Sequence, residues 1–89
     1  MKYYMTEGEG EGYELSRYYF EVDWSINLVV RQVEISGDAH KWGEWTGSSL
    51  VGCISDQEVS SFEPMLAPKY EIEKDEFESV WNRARQSHQ

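Results

Sequence analysis

Residues Ser16 to Trp45, SRYYFEVDWSINLVVRQVEISGDAHKWGEW, carry the reading that decides the fold of this chain. The stretch reads as two consecutive hairpins. Gly37-Asp38 is a type II′ turn dipeptide, and centring a hairpin on it sets Glu34 opposite Lys41, Arg31 opposite Glu44 and Val33 opposite Trp42. Upstream, Tyr18, Phe20, Val22 and Trp24 alternate with Tyr19, Glu21 and Asp23, the period of a strand. A turn around Ile26-Asn27 would pair Trp24 with Val29, Phe20 with Val33 and Tyr18 with Ile35. Together the two turns predict one inner face of Tyr18, Phe20, Val22, Trp24, Val29, Val33, Ile35 and Trp42. A one-residue slip would exchange that set with its polar neighbours.

Working outward, Gly47-Ser48 predicts a third turn and Ser49 to Ser55 a fourth strand, with Leu50 opposite Trp45 and Cys53 opposite Trp42. Gly52 weakens that strand and marks a candidate bulge. Asp56 to Lys69 reads as a connection, since Pro64 and Pro68 exclude a regular helix from its second half. From Lys74 to about Gln86, Phe77, Val80, Trp81 and Ala84 recur on one helical face. With Glu73 as the cap, Ile72 and Phe77 occupy the positions of a hydrophobic staple. Acids at the start (Asp75, Glu76, Glu78) and Arg83 and Arg85 near the end suit the helix dipole. Residues 1–15 read as a flexible acidic Glu-Gly arm or loop, with Tyr3, Tyr4 and Met5 able to add a short strand. Residues 16–89 form one domain. The expected fold is α+β: an antiparallel meander of about four strands with one C-terminal helix packed on one face.

Four Trp, six Tyr and three Phe within a 39% hydrophobic composition exclude a disordered chain. No apolar run reaches the roughly 20 residues of a membrane span and no basic-then-apolar leader opens the chain, so a soluble, cytoplasmic protein is expected. A single cysteine excludes an internal disulfide and a multi-cysteine metal site. The formal charge of −9, from 17 acids against 8 bases, disfavours nucleic acid and anionic lipid and favours a basic protein partner.

No reaction centre is legible. The carboxylates around Glu71 to Glu78 are explained by a helix start and its solvated face. His40 lies beside Ile35 at the rim of the inner face and reads as structural. Asp38 and His40 lack a second cluster to complete a metal site, and the Glu residues between Gly8, Gly10 and Gly12 would repel a phosphate. Catalytic residues, metal and cofactor are all read as none. Arg31 reads as a structural residue whose stem covers apolar surface. The outer face should present Tyr19, Glu21, Asp23, Gln32 and Glu34 beside Val30, Trp45, Leu50 and Ile54. An aromatic anchor with an acidic rim suits docking, so Tyr19, Glu21, Asp23, Glu34 and Trp45 are the expected partner-binding residues. The competing reading of the apolar strip is that Phe62, Met65 and Leu66, or Tyr3 and Tyr4, fold over it as a second layer.

The succession YYFEV (Tyr18–Val22), RQVEI (Arg31–Ile35) and YEIEKDEFESVWNRA (Tyr70–Ala84) resembles small uncharacterised bacterial immunity-type proteins. The resemblance implies a compact antiparallel sheet with one covering helix and a role in neutralising a secreted or contact-delivered toxin. It brings no catalytic residues, and the Glu-Gly arm departs from the pattern. The expectation is therefore a non-enzymatic acidic protein that inhibits a basic toxin such as a nuclease by occlusion. The alternatives are a phage-encoded nucleic-acid mimic acting on a host defence complex, and a homodimeric regulatory module.

Overall fold

A computed structural model describes residues 1–9, 15–52 and 57–87. Six strands form one antiparallel sheet: β1 (Lys2–Glu9), β2 (Leu15–Asp23), β3 (Leu28–Ser36), β4 (Ala39–Trp45), β5 (Leu50–Gly52) and β6 (Glu71–Ile72). Their spatial order is β5-β4-β3-β2-β1-β6. Among the described residues a single α-helix, α1 (Lys74–Ser87), follows β6, and three 3-10 turns (Val59–Ser61, Glu63–Leu66 and Pro68–Tyr70) precede it.

The hairpin centred on Gly37-Asp38 forms as the residues dictate. Arg31 pairs Glu44, Val33 pairs Trp42 and Glu34 pairs Lys41. Gly37 takes φ 58 while Asp38 stays out of the left-handed region, as a type II′ turn requires. Trp45 pairs Leu50 across the next turn, but β5 ends at Gly52, and Cys53 and Ile54 lie outside the described residues. Gly52 sits at φ 113, where a Cβ would come within 2.4 Å of the Trp42 carbonyl oxygen, so glycine is required there.

Three expectations are corrected. First, Lys2–Glu9 is no arm. β1 pairs β2 from Lys2↔Val22 to Glu9↔Leu15 and β6 through Tyr3↔Ile72 and Tyr4↔Glu71, which raises the strand count from about four to six. Gly10 to Glu14 lie outside the described residues. Second, the β2–β3 register is displaced. The loop spans Trp24 to Asn27, because the Asp23 carboxylate accepts hydrogen bonds from the Ser25 amide and hydroxyl and ends the strand one residue early. Asn27 adopts φ 55 to close it. A bulge between Glu21 and Val22 then leaves Tyr19 opposite Val33 and Phe20 opposite Gln32.

Third, the slip moves Tyr18, Phe20, Val22 and Val29 to the face away from the helix, while Val33, Ile35 and Trp42 stay beneath it as expected. Under the helix lie Tyr3, Tyr19 and Val33 with Phe77, Trp81 and Ala84, while Met5, Ile35 and Trp42 pack around them. Tyr4, Phe20, Val22 and Val29 form a second core on the opposite side, closed by Val59, Leu66, Phe62 and Met65 of the 3-10 connection. Phe20 and Phe62 rings lie 4.9 Å apart. The connection thus does cover an apolar face, and that face carries Phe20, Val22 and Val29, which were expected beneath the helix. Phe77 is fully buried and Trp81 nearly so, each contributing about 1.5–3 kcal/mol of burial.

Arg31 locks the helix to the sheet. Its guanidinium donates to Glu21 at 2.7 and 2.8 Å and reaches Glu78 on α1, with 5.1 Å to the ring centres of both Phe77 and Trp81. The Glu44 opposite it in register instead pairs Arg85 at 3.7 Å, whose guanidinium lies 4.4 Å from the Trp42 ring. The Arg31 hydrogen bond holds the Glu78 carboxyl below its ordinary range. Burial, reinforced by a hydrogen bond to Glu21, pushes the Tyr3 hydroxyl up to about 12.

Candidate partner-binding groove

The sequence-predicted binding residues do not converge. Tyr19 and Glu21 are 5% and 7% exposed and belong to the helix-side core, so their expected outward orientation is corrected. Glu21 is consumed by Arg31, because a carboxylate in that position is tolerated only when paired. Glu34 lies on the other side of the sheet, half-buried, 3.8 Å from Lys41. Trp45 shares that side by strand alternation and is partly buried at the end of β4. Asp23 caps the β2–β3 turn, and the Ser25 hydrogen bonds hold its carboxyl below the usual range.

The turn that displaced the register builds a different site. Ending β2 at Asp23 places Trp24 in the loop, where it stays 42% exposed, and its indole Nε1 donates to the Tyr4 hydroxyl at 3.1 Å. That bond holds the ring against the end of the sheet. Ile26 beside it is 52% exposed.

The second wall comes from the 3-10 connection. Leu28 forms an isolated antiparallel bridge with Glu58, and the Val29 amide donates to the Gln57 carbonyl at 2.9 Å. Val59 is then buried, while the Ser61 amide bonds back to Glu58 and the Phe62 amide to Val59. Pro64 at the start of the next turn stops helix continuation and leaves Glu63 exposed at its first position.

Between these walls runs an open groove of about 460 Å³, lined by Trp24, Asn27, Leu28, Glu58, Val59, Ser60 and Glu63. Its lining residues include two glutamates, an asparagine, a serine and a tryptophan, and among the described residues no lysine or arginine lines it. Such a lining is chemically suited to positive charge and apolar surface together. Among the described residues that line the groove there is no His or Cys. Among the described residues no group of three or more His, Cys, Asp or Glu is placed to hold a metal ion. No described helix is long and apolar enough to cross a membrane.

Sequence reasoning missed Trp24, Glu58 and Glu63. Trp24 was assigned to the core by alternation, although the Asp-x-Ser of Asp23 to Ser25 is the signal for an Asx turn that would have exposed it. Glu58 and Glu63 carried no local signal beyond flanking the apolar Val59 and Phe62. No family model matches the chain, and no curated protein or solved structure matches it significantly.

Proposed function

We propose that this chain is a non-enzymatic acidic binding protein of the immunity type, acting in the cytoplasm on a basic protein such as a nuclease toxin. The observation that supports this reading is the groove of Trp24, Glu58 and Glu63 at the end of a sheet with layers on both sides, in a chain of formal charge −9. An exposed indole beside carboxylates supplies an anchor and a charged rim in one place. Inhibition would be by occlusion: the acidic end of the molecule covers the partner's cationic substrate groove. Net charge speeds the encounter, so association slows as salt rises. The wild-type chain and a W24A/E58K/E63K variant, immobilised in parallel, test the reading with native-host lysate and with a co-expressed adjacent toxin gene. The wild type should retain a basic protein, inhibit its activity and lose it at raised salt, and the variant should not retain it. Retention of a neutral or acidic partner, or equal retention by the variant, would sink the proposal.

A further inference from the structure

Arg31, on the sheet beneath the helix, and Arg85, on the helix itself, share one kind of surrounding. Arg31 lies against Phe77 and Trp81 with Glu21 and Glu78 as its carboxylate partners. Arg85 lies against Trp42 with Glu44. The Trp24 groove brings the same residue types together, a tryptophan with two glutamates, and among the described residues no lysine or arginine lines it. Its volume is many times that of a single ion and suits the head and stem of a long side chain. We infer that the groove is an arginine receptor: a partner's guanidinium seats against the Trp24 ring and is bonded by Glu58 and Glu63.

The chemistry favours arginine over lysine. A guanidinium is planar and weakly hydrated, so it stacks on an indole while forking to carboxylates; a compact ammonium keeps its water. Five donors also match a lining that adds the Asn27 amide oxygen and the Ser60 hydroxyl to the two carboxylates. Tyr4 acts as a positioning residue, since its hydroxyl accepts the indole N–H and fixes that edge of the Trp24 ring beside the groove it lines. The inference rests on the proposed function but names the recognised group, and it can fail separately.

The test uses the full chain and three acetylated, amidated hexapeptides that alternate glycine with arginine, lysine or citrulline. Affinity is read by calorimetry, and location by the NMR shifts of the Trp24 indole N–H and the Asn27 and Ser60 amides. The arginine peptide should shift these signals saturably and bind about threefold or more tighter than the lysine peptide, because only it can stack and fork together. Citrulline, neutral and of the same shape, should not bind. E58Q/E63Q should weaken the arginine peptide about tenfold while the ring-shifted Phe77 and Trp81 signals stay in place, showing an intact core. Y4F should reduce the arginine preference over lysine while leaving the lysine affinity unchanged. Equal affinity for lysine would overturn the inference, as would shifts confined to the α1 acids. Either result would leave an acidic binding protein standing. Failure of every cationic peptide to bind at low salt would overturn both.

Discussion

Arg31→Met offers the sharpest measurement of how this fold holds together. The variant keeps a stem able to cover Phe77 and Trp81 but removes the guanidinium that answers Glu21 and Glu78. The Glu21 side chain is only 9% exposed, so it cannot turn to water for compensation. Removing one partner of a buried ion pair costs about 3–5 kcal/mol, because the remaining charge stays desolvated. The total stability of a domain this size is about 4–13 kcal/mol, from ~0.05–0.15 kcal/mol per residue, so the loss is roughly a quarter of the whole or more. Urea denaturation followed by tryptophan fluorescence and far-UV circular dichroism measures it. The companion variant is R31M/E21Q, which also removes the buried charge yet keeps an acceptor for the Tyr3 hydroxyl. It should recover about 2 kcal/mol relative to R31M, the coupling expected when the penalty is an orphaned carboxylate. A loss below about 1 kcal/mol in R31M, or a double variant no more stable than the single, would refute the reasoning. It would mean that the triad is solvated enough to be a surface ion pair.

Glu78→Gln should cost about 0.5–1.5 kcal/mol at neutral pH, less than a buried pair because its side chain is 32% exposed. Its folded carboxyl titrates below the ordinary value of 4.5, so its contribution is fully present above that pH and is lost as pH falls through the folded value. Melting curves of wild type and E78Q should therefore converge in acid. In ultraviolet titration Tyr3 should ionise near about 12, and Y3F should remove that step. Because its folded value is raised, the stabilisation it marks is complete below the ordinary tyrosine value of 10.0 and fades as pH climbs toward 12. Gly52→Ala should cost about 1–3 kcal/mol, since φ 113 and the 2.4 Å approach to the Trp42 carbonyl both exclude a Cβ. Chemical denaturation reads that cost, and a wild-type midpoint would contradict the strain.

What the residues disclosed, and what they hid, follows from how locally each decision is made. The β3–β4 hairpin was legible because its turn dipeptide and its opposed charges, Glu34 with Lys41, agree without reference to anything distant. The helix was legible because Phe77, Trp81 and Ala84 repeat on one face and nothing contests them. The β2–β3 register was not, because Tyr18-Tyr19-Phe20 offers apolar side chains in both directions. Alternation specifies register only where one face is buried and the other wet. Here the helix covers Tyr19 and the 3-10 connection covers Phe20, so the pattern supported either phase. Glu21 then looked like a solvent residue, when its burial depends on an arginine ten positions along and a glutamate on the helix. Of β1 only a short strand at Tyr3 to Met5 is legible, because the Glu-Gly composition hides its length, although Tyr3 and Tyr4 send one ring into each core. The groove was the least legible feature, because Trp24 reaches it only after the register is set and Glu58 and Glu63 only after the 3-10 turns form.

Layers on both sides of the sheet constrain where this protein can bind anything. A sheet with one bare face can recruit partners through alternate side chains along its strands, at no cost to its own core. Here Tyr19, Val33 and Trp42 are committed to the helix, and Phe20, Val22 and Val29 to the connection. A partner that needed those residues would have to strip a layer and forgo burial of about 1.5–3 kcal/mol for each large side chain exposed. Turn ends carry no such penalty. Trp24 is already 42% in solvent, and its one polar commitment, to Tyr4, holds the indole in position. Asp23 is held by Ser25 at the start of the same turn, and the bridge from Leu28 to Glu58 joins that turn to the connection. The groove walls are thus braced by backbone on both sides, so little ordering entropy is lost when a ligand enters. Preorganisation at the rim is what a sheet with both faces filled can still provide, and it makes the turn end the economical place for recognition in this fold.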